Sequence, residues 1–520
     1  MLCAARERHN DICSQLRALL THRPTPRTCA PHCHRPQLSW IVGVLLLAAA
    51  VVVPHAQAGP WIAPGNPQLR HHLQLLADHG YLKIPLTTWP LAWGDVMGAM
   101  RRPGPDATPA VHAAFRAVTR SARAAKRGGL DRKLKLQAAS TAPLYRDFGQ
   151  GAREQFESQA ELEVTGNRWA ARLSVTAVAD PSDDEAVRLD GSYIGAALGN
   201  WMVVAGAMDR WWGPAWEGGA ILGHNARPVP AVVIQRNRSE AFELPVLRWF
   251  GPWTMTLFNG WLEEDRDYSR VMLFGMRVAF KPTQYLEVGL SRTAQWGGEG
   301  RPDGLDTAVD MLLGRDNFGD GDITITNQPG NQLAGGDVRL ASPWPAVPAA
   351  IYAEVIGEDE AGSLPSRYLF TSGIETWGAW SEQVPFRFVL EYNKTRASGH
   401  YDYAYNHHVY TDGYRHYGRS MGHGADNDAE LISAHLNLFG AWGSRTGLRL
   451  VAGELNENGV GQHGFLNGAA DLRMIELQQS WTLRGAELAV QLGWTELTGA
   501  EVRSDFEDGL RVATRWSRFW

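Results

Sequence analysis

Beyond residue 33 the 520-residue chain contains no cysteine. Its four cysteines, Cys3, Cys13, Cys29 and Cys33, all precede the uncharged apolar run Trp40–Val53. Fourteen apolar residues are short for a helical span, and Ala56-Gln57-Ala58 follows with small residues where a signal peptidase cuts. Cleavage after Ala58 would discard every cysteine, together with the knuckle-like "CAPHCH" at Cys29–His34, and would leave disulfides no part in the exported chain. The 39 residues ahead of the run are long for a leader, so translation is expected to start further along. Lysine is scarce. Removing the leader's six basic and two acidic residues leaves 44 basic and 53 acidic, a net charge of −9. That balance argues against nucleic acid as a partner and against a polybasic membrane anchor.

What is abundant is aromatic and glycine: 21 tryptophans and 55 glycines, with 44% hydrophobic residues but a mean hydropathy of only −0.27. A disordered chain lacks the first and a helical membrane protein lacks the last. A transmembrane β-barrel has both, because lipid-facing and lumen-facing residues alternate and average out.

Residues 67–127 have helical period. "PQLRHHLQLLADHG" puts Leu69, Leu73 and Leu76 on one face and stops at Gly80, a residue suited to a helix end. "LAWGDVMGAM" reads as a short helix. A third starts with Thr108 as N-cap and Pro109 at the first turn, and stripes Val111, Phe115 and Val118. Arg120, Arg123, Lys126 and Arg127 crowd its C-terminal end, where cations suit the dipole. Some sixty residues make a marginal core alone, so these helices should pack on a larger domain.

After Gly129 the period becomes two. Hairpin signals fall at Thr165–Asn167, Gly199-Asn200, Gly251-Pro252 (joining "VLRWF" to "WTMTLFNGW"), Lys281–Gln284, Ser381–Pro385, Gly443–Thr446 and Gly485-Ala486. Much longer polar segments lie between them, at 180–192, 210–230, 297–336, 396–428 and 499–509. Short turns alternating with long loops are the pattern of an outer-membrane barrel, with the short turns periplasmic. About eighteen alternating segments lie between Leu134 and the terminal Trp520. Trp201, Trp249, Trp253, Trp377, Trp380, Trp442 and Trp481 fall at strand ends, as interfacial girdles do.

Five stretches then carry a resemblance: "LQLLADHGYLKIPLTTWPLAWGDV", "RWWGPAWEGGAILGHNARPVPA", "LFGMRVAFKPTQYLEVGLSRTAQWGG", "FGDGDITITNQPGNQLAGGDVRLA" and "YNHHVYTDGYRHYGRSMGHGADND". In this order they resemble the capsule assembly protein Wzi family over nearly the whole exported chain. The resemblance implies an all-β, antiparallel 18-stranded outer-membrane barrel with a small N-terminal helical bundle on the periplasmic side. It also implies an extracellular lectin surface that holds capsular polysaccharide. The polymer's identity does not carry over. The domains expected are a leader at 1–58, a periplasmic bundle at 59–129 and a barrel at 130–520 with extracellular loops.

Two loops are the candidate sites. Trp211, Trp212 and Trp216 sit in a segment with four glycines and three prolines, beside Asn225 and Arg227. An indole face covers the C–H face of a sugar while Asn and Arg meet its hydroxyls. The same residues could instead be a plug, and Asn225 to Pro230 reads better as a tight structural turn. The second loop holds six of the 14 tyrosines between Tyr401 and Tyr417. Tyr410, Asp412, Tyr414, Arg415, Arg419 and Asn427 give it the rigid-aromatic and adaptable-polar mixture of recognition loops, and its arginines would pair with uronate or pyruvate groups. His400, His407, His408, His416 and His423 have no helical metal-binding spacing, and "FGDGD" falls short of a calcium loop, so no metal or other cofactor is expected.

Binding without chemistry is the leading reading, by a monomer whose partners are polysaccharide and outer-membrane lipid. The alternatives are a porin for anionic or saccharide solutes, since a barrel of this size can hold a channel, and a barrel hydrolase using Ser420, His423 and Asp426.

Overall fold

The computed structural model describes residues 61–520, apart from 127–129, 150, 305, 310–329, 362–363, 382–383, 398–400, 441–442, 460, 484 and 503–505. The expected cut after Ala58, all four cysteines, Arg127, His400, Trp442 and most of the segment at 297–336 lie outside the described residues.

Eighteen antiparallel strands close into one barrel. In chain order they are β1 Leu130–Ala139, β2 Phe156–Thr165, β3 Trp169–Ala179, β4 in two pieces (Val187–Arg188 and Tyr193–Leu198), β5 Trp201–Gly206 and β6 Ala231–Arg236. They continue with β7 Trp253–Trp261, β8 Met272–Phe280, β9 Leu286–Trp296, β10 Gly330–Ala341, β11 Ala349–Ala361 and β12 Leu364–Ser381. The last six are β13 Val384–Lys394, β14 Glu430–Phe439, β15 Arg445–Leu455, β16 Ala470–Leu483, β17 Ala486–Thr498 and β18 Gly509–Phe519. Closure pairs β18 with β1, from Ala513 opposite Ala139 to Phe519 opposite Lys133, so no edge is left unpaired.

Alternation sets the faces. Along β14, Leu431, Ser433, His435 and Asn437 are buried in the lumen while Ile432 is 57% exposed toward lipid. Leu450, Ile475, Leu492 and Leu510 continue the outward band. Connections alternate as well: β2–β3, β4–β5, β8–β9 and β16–β17 turn tightly at one end, while 140–155, 180–186, 207–230, 395–429 and 456–469 lie at the other.

Three expectations need correction. "VLRWF" is no strand: Leu247–Phe250 is a turn of 3-10 helix in a sixteen-residue connection, and the partner of β7 is β6. Pro245 lacks an N–H and Gly251-Pro252 ends the run at φ +68°, so no ladder can form there. Trp377 is lumen-facing and 5% exposed, with the Arg387 guanidinium 4.8 Å from its ring; it shares the inward parity of Glu375. Trp249 and Trp380, at 84% and 77% exposed, are outside. The long segment expected to run to 336 ends earlier, because Gly330 to Gly336 already pairs with β9.

Helices α1 (Pro67–Asp78), α2 (Trp93–Ala99) and α3 (Pro109–Lys126) form where the periodicity places them. Asn66 caps α1 by accepting the Leu69 N–H at 2.9 Å, and Gly80 follows its end at φ +76°. The first helix does more than abut the barrel. Arg339 donates to the Asp78 carboxylate at 2.7 and 3.0 Å, and the His71 ring stacks 4.4 Å from Phe439 at the end of β14. Both contacts lie at the short-turn end, so α1 fills that mouth.

Candidate functional site

The lumen is filled from both ends. From the short-turn end comes the segment after α1, whose Thr88-Trp89 forms a two-residue antiparallel ladder with Trp211-Trp212. Trp211 and Trp212 belong to the long connection between β5 and β6, so this ladder is where the two intrusions meet. Arg277 of β8 locks the first, donating to Thr87 and Thr88 hydroxyls at 2.8 Å each and to Asp337 at 2.6 Å.

The glycines explain how so many indoles fit an irregular segment. A Cβ on Gly218 would lie 2.3 Å from the His423 ring, and one on Gly219 would lie 2.7 Å from the Leu222 carbonyl. The backbone therefore comes close enough for the Trp212 N–H to reach Leu222 O at 2.9 Å. Trp211, Trp212 and Trp216 are 1%, 0% and 2% exposed. Trp216 has Arg70 of α1 over its ring at 4.1 Å, and its N–H donates to Glu391 of β13 at 2.8 Å. Of the two roles weighed for these indoles, the structure shows the plug; none has a face open to a sugar.

Glu217 is a hub the sequence did not flag. It is wholly buried and receives Arg449 at 2.5 and 3.0 Å and Tyr145 at 2.7 Å, with His435 Nε2 2.9 Å away. Burial would raise its pKa, but Arg449 and His435 more than offset this and hold it well below the usual carboxylate value. Charged residues at inward parity on β8, β12, β13 and β15 were the available signal; their partners on the plug were not.

The second loop is tied to the first. Tyr414 Oη donates to Ile221 O at 3.0 Å, Tyr405 Oη to Ala220 O at 2.5 Å, and Tyr410 Oη to Gly297 O at 3.0 Å. Arg415 makes a bidentate pair with Asp426 at 2.7 and 2.8 Å and is 3% exposed, so it has no fork left for an acidic sugar. Asn427 is fully buried beside it. Asp426 would have its pKa raised by burial, but Arg415 and His463 hold it low. Arg227 is likewise engaged, by Asp190 and Asp183, and its guanidinium lies 4.2 Å from the Tyr417 ring. Asp412 is one-third exposed and accepts the Asp267 N–H at 3.0 Å; Arg419 donates to Leu144 O at 3.3 Å.

Ser420, His423 and Asp426 share the loop, but no hydrogen bond among the described residues joins their side chains. His423 Nδ1 accepts from the Ala425 N–H, and burial drops its pKa to about 4. No three metal-ligating side chains converge among the described residues. The rim of this end carries exposed Tyr401 and His408 and half-buried Tyr403, Tyr417 and Arg419.

A closed barrel with an inward-alternating polar face, an outward apolar band and a lumen filled from both ends is an outer-membrane β-barrel of the plugged type. The chain belongs to the capsule assembly protein Wzi family, whose model matches residues 125–506. It is 30% identical over 334 residues to an uncharacterised 55.8 kDa protein in the cps region of Klebsiella pneumoniae, an alignment spanning 64% of each chain. In structure it is similar to Wzi of Escherichia coli, an outer-membrane protein involved in group 1 capsule assembly and described as a carbohydrate-binding β-barrel. That likeness has a TM-score of 0.77 at 25% identity and covers 88% of this chain and 99% of the other.

Proposed function

We propose that this protein holds capsular or extracellular polysaccharide at the outer face of the outer membrane, through the rim of its long-loop end. The observation that carries the reading is the locking of the two loops to one another and to the wall. Tyrosine-to-carbonyl bonds and the buried Arg415–Asp426 pair make the plug a preorganised floor, and a rigid floor lowers the entropic cost of binding. Even-stranded outer-membrane barrels have periplasmic short turns, which supports a periplasmic position for the helices and an outer position for the rim.

Contacts to the polymer would come from Tyr401, His408, Tyr417, Asp412 and Arg419. The buried Trp211, Trp212, Trp216, Tyr410, Tyr414, Arg415 and Asn427 act as positioning residues beneath them. Stacking contributes on the order of 1 kcal/mol per ring, and a repeating polymer meeting many barrels gains retention by multivalency. The test is a Tyr401→Ala, His408→Ala, Tyr417→Ala triple variant. It should remain folded and heat-modifiable on gels while polysaccharide passes from cells to medium. Full retention at an unchanged barrel level would overturn the assignment of the rim.

A further inference from the structure

One connection at the short-turn end departs from the tight turns around it. Between Arg236 of β6 and Trp253 of β7 the chain runs sixteen residues, and its large apolar side chains stay out of any core: Val246 is 78% exposed and Trp249 84%, with Leu244 and Phe250 exposed beside them. The segment is nonetheless held in place. The Ser239 N–H and hydroxyl donate to Asp95 of α2 at 2.8 and 3.0 Å. The Arg248 N–H reaches Leu244 O at 2.9 Å, and the Gly251 N–H reaches Arg248 O at 3.0 Å. The Lys281 N–H then donates to Pro252 O at 2.8 Å, which ties the exit to the end of β8. An ordered segment that presents contiguous apolar side chains is unfavourable in water and marks a surface that something else covers.

The segment turns outward, onto the lipid side of the wall. The Phe242 ring stacks 4.6 Å from the Trp253 indole, and the Phe250 ring packs 5.1 Å from Phe280. Trp253 and Phe280 are directly opposed on β7 and β8 and point away from the lumen, since their neighbours Thr254 and Ala279 are buried inside it. The wall is also low in this sector. β6 has six residues, about 17 Å along the strand, and β7 and β8 have nine each, about 26 Å. At a tilt of about 40° these give roughly 13 and 20 Å of height, against an apolar band of about 25 Å. Phe250, resting on Phe280, continues the outward apolar surface past the ends of the two strands. Charge does not account for the exposure. Arg236, Arg238 and Arg248 stand against Glu240, Glu243 and the adjoining Asp95, and Arg238 lies 3.9 Å from Glu240.

We propose that residues 240–250 form an in-plane anchor in the phospholipid leaflet on the short-turn side, and that this anchor supplies apolar height the wall at β6–β8 lacks. Leu244, Val246 and Phe250 enter the boundary between headgroups and acyl chains, and the amphipathic Trp249 indole sits at headgroup level. Lipid is the occupant because the surface is continuous with the lipid-facing wall. Phe242 and Phe250 already rest on Trp253 and Phe280, so a protein docked on them would have to displace the bilayer from β7 and β8. With its charges balanced, the segment is drawn in by apolar burial, and a neutral phospholipid suffices.

The experiment places a nitroxide label at Val246→Cys or at Trp249→Cys, in the full chain with Cys3, Cys13, Cys29 and Cys33 changed to serine, reconstituted in phosphatidylcholine vesicles. Power saturation with oxygen and with a water-soluble nickel chelate reads the depth of each label. Both should lie about 5–10 Å into the boundary between headgroups and acyl chains. A label at Arg102→Cys, exposed in the connection between α2 and α3, should lie in water. Heat-modifiability shows that each variant is folded, and Leu244→Cys replaces either label position that is not. Nickel-chelate access at 246 and 249 equal to that at 102 overturns the anchor. Low access to both reagents also overturns it, since a second copy of the chain would then cover the segment. Immersion that appears only when phosphatidylglycerol is added would overturn the apolar basis of the attraction.

Discussion

The two halves of the lumen use the same charged residue types in different ways. On the wall from β8 to β15, charges reach inward to the plug: Arg339 to Asp78, Arg277 to Thr87 and Thr88, Arg449 to Glu217. On the wall from β1 to β3, charges pair with the neighbouring strand at directly opposed positions, Lys133 with Glu161 and Arg172 with Glu163. The first arrangement ties helix, loops and barrel wall together. The second satisfies the wall without filling the space in front of it. A sealed lumen and an open one therefore differ in where the second partner of each pair sits, not in composition.

The largest expected effect breaks the sealed side. Glu217→Ala leaves the buried Arg449 with Glu476 alone, takes the neighbouring carboxylate from His435 and removes the acceptor of Tyr145, at a cost of roughly 3–5 kcal/mol. Limited proteolysis of the folded barrel should then cut within 207–230 and 395–429, where the native protein resists. An unchanged digestion pattern would mean the hub is not what holds the loops.

Acid should act on the same side, each histidine with a smaller effect than that substitution. Burial drops the pKa of His423 and of His224 to about 4, against 6.5 when unfolded. Between those values the opened loops bind protons that the closed plug refuses, so stability is complete above pH 6.5 and falls as the pH drops toward 4. Each histidine contributes on the order of 3 kcal/mol by that shift. Protection factors of the amides in 207–230 and 418–428, which divide out the intrinsic pH dependence of exchange, should fall at pH 5 relative to pH 7.5, while those in β1–β3 should respond far less.

The smallest effect is expected on the open side. Lys133→Met removes an ion pair whose partners are 23% and 14% exposed, and should cost only about 0–1 kcal/mol. A loss comparable to that of Glu217→Ala would show that the open wall is as tightly coupled as the sealed one, and would dissolve the contrast.

Much of this fold was legible before any coordinates. Period-two segments, tight turns and the one-sided loop bias give a barrel of about eighteen strands, and the Leu69, Leu73 and Leu76 stripe with Gly80 marks α1. Turn chemistry is local, which is why it could be read. The misreadings arose where local pattern and three-dimensional parity disagree. "VLRWF" has strand composition but sits between two prolines, and Trp377 stands at a strand end but on the lumen side. The exposure of the candidate-loop residues could not be read in that way. Trp212 and Tyr414 are the aromatic residues a recognition surface would use, and they are also the residues a plug would use.

The sequence by itself determined the alternation of faces, the even strand count and the division into short turns and long loops, because each depends on neighbours a few residues apart. Only the tertiary structure decided that 81–92 and 207–230 meet as a ladder inside the barrel and that Glu217 collects Arg449, His435 and Tyr145. The same holds for the cavity that stays open in front of β1–β3. Those outcomes depend on which charge finds a partner across more than a hundred residues of chain. In a lumen where every unmatched charge is costly, only the folded geometry says which ones remain.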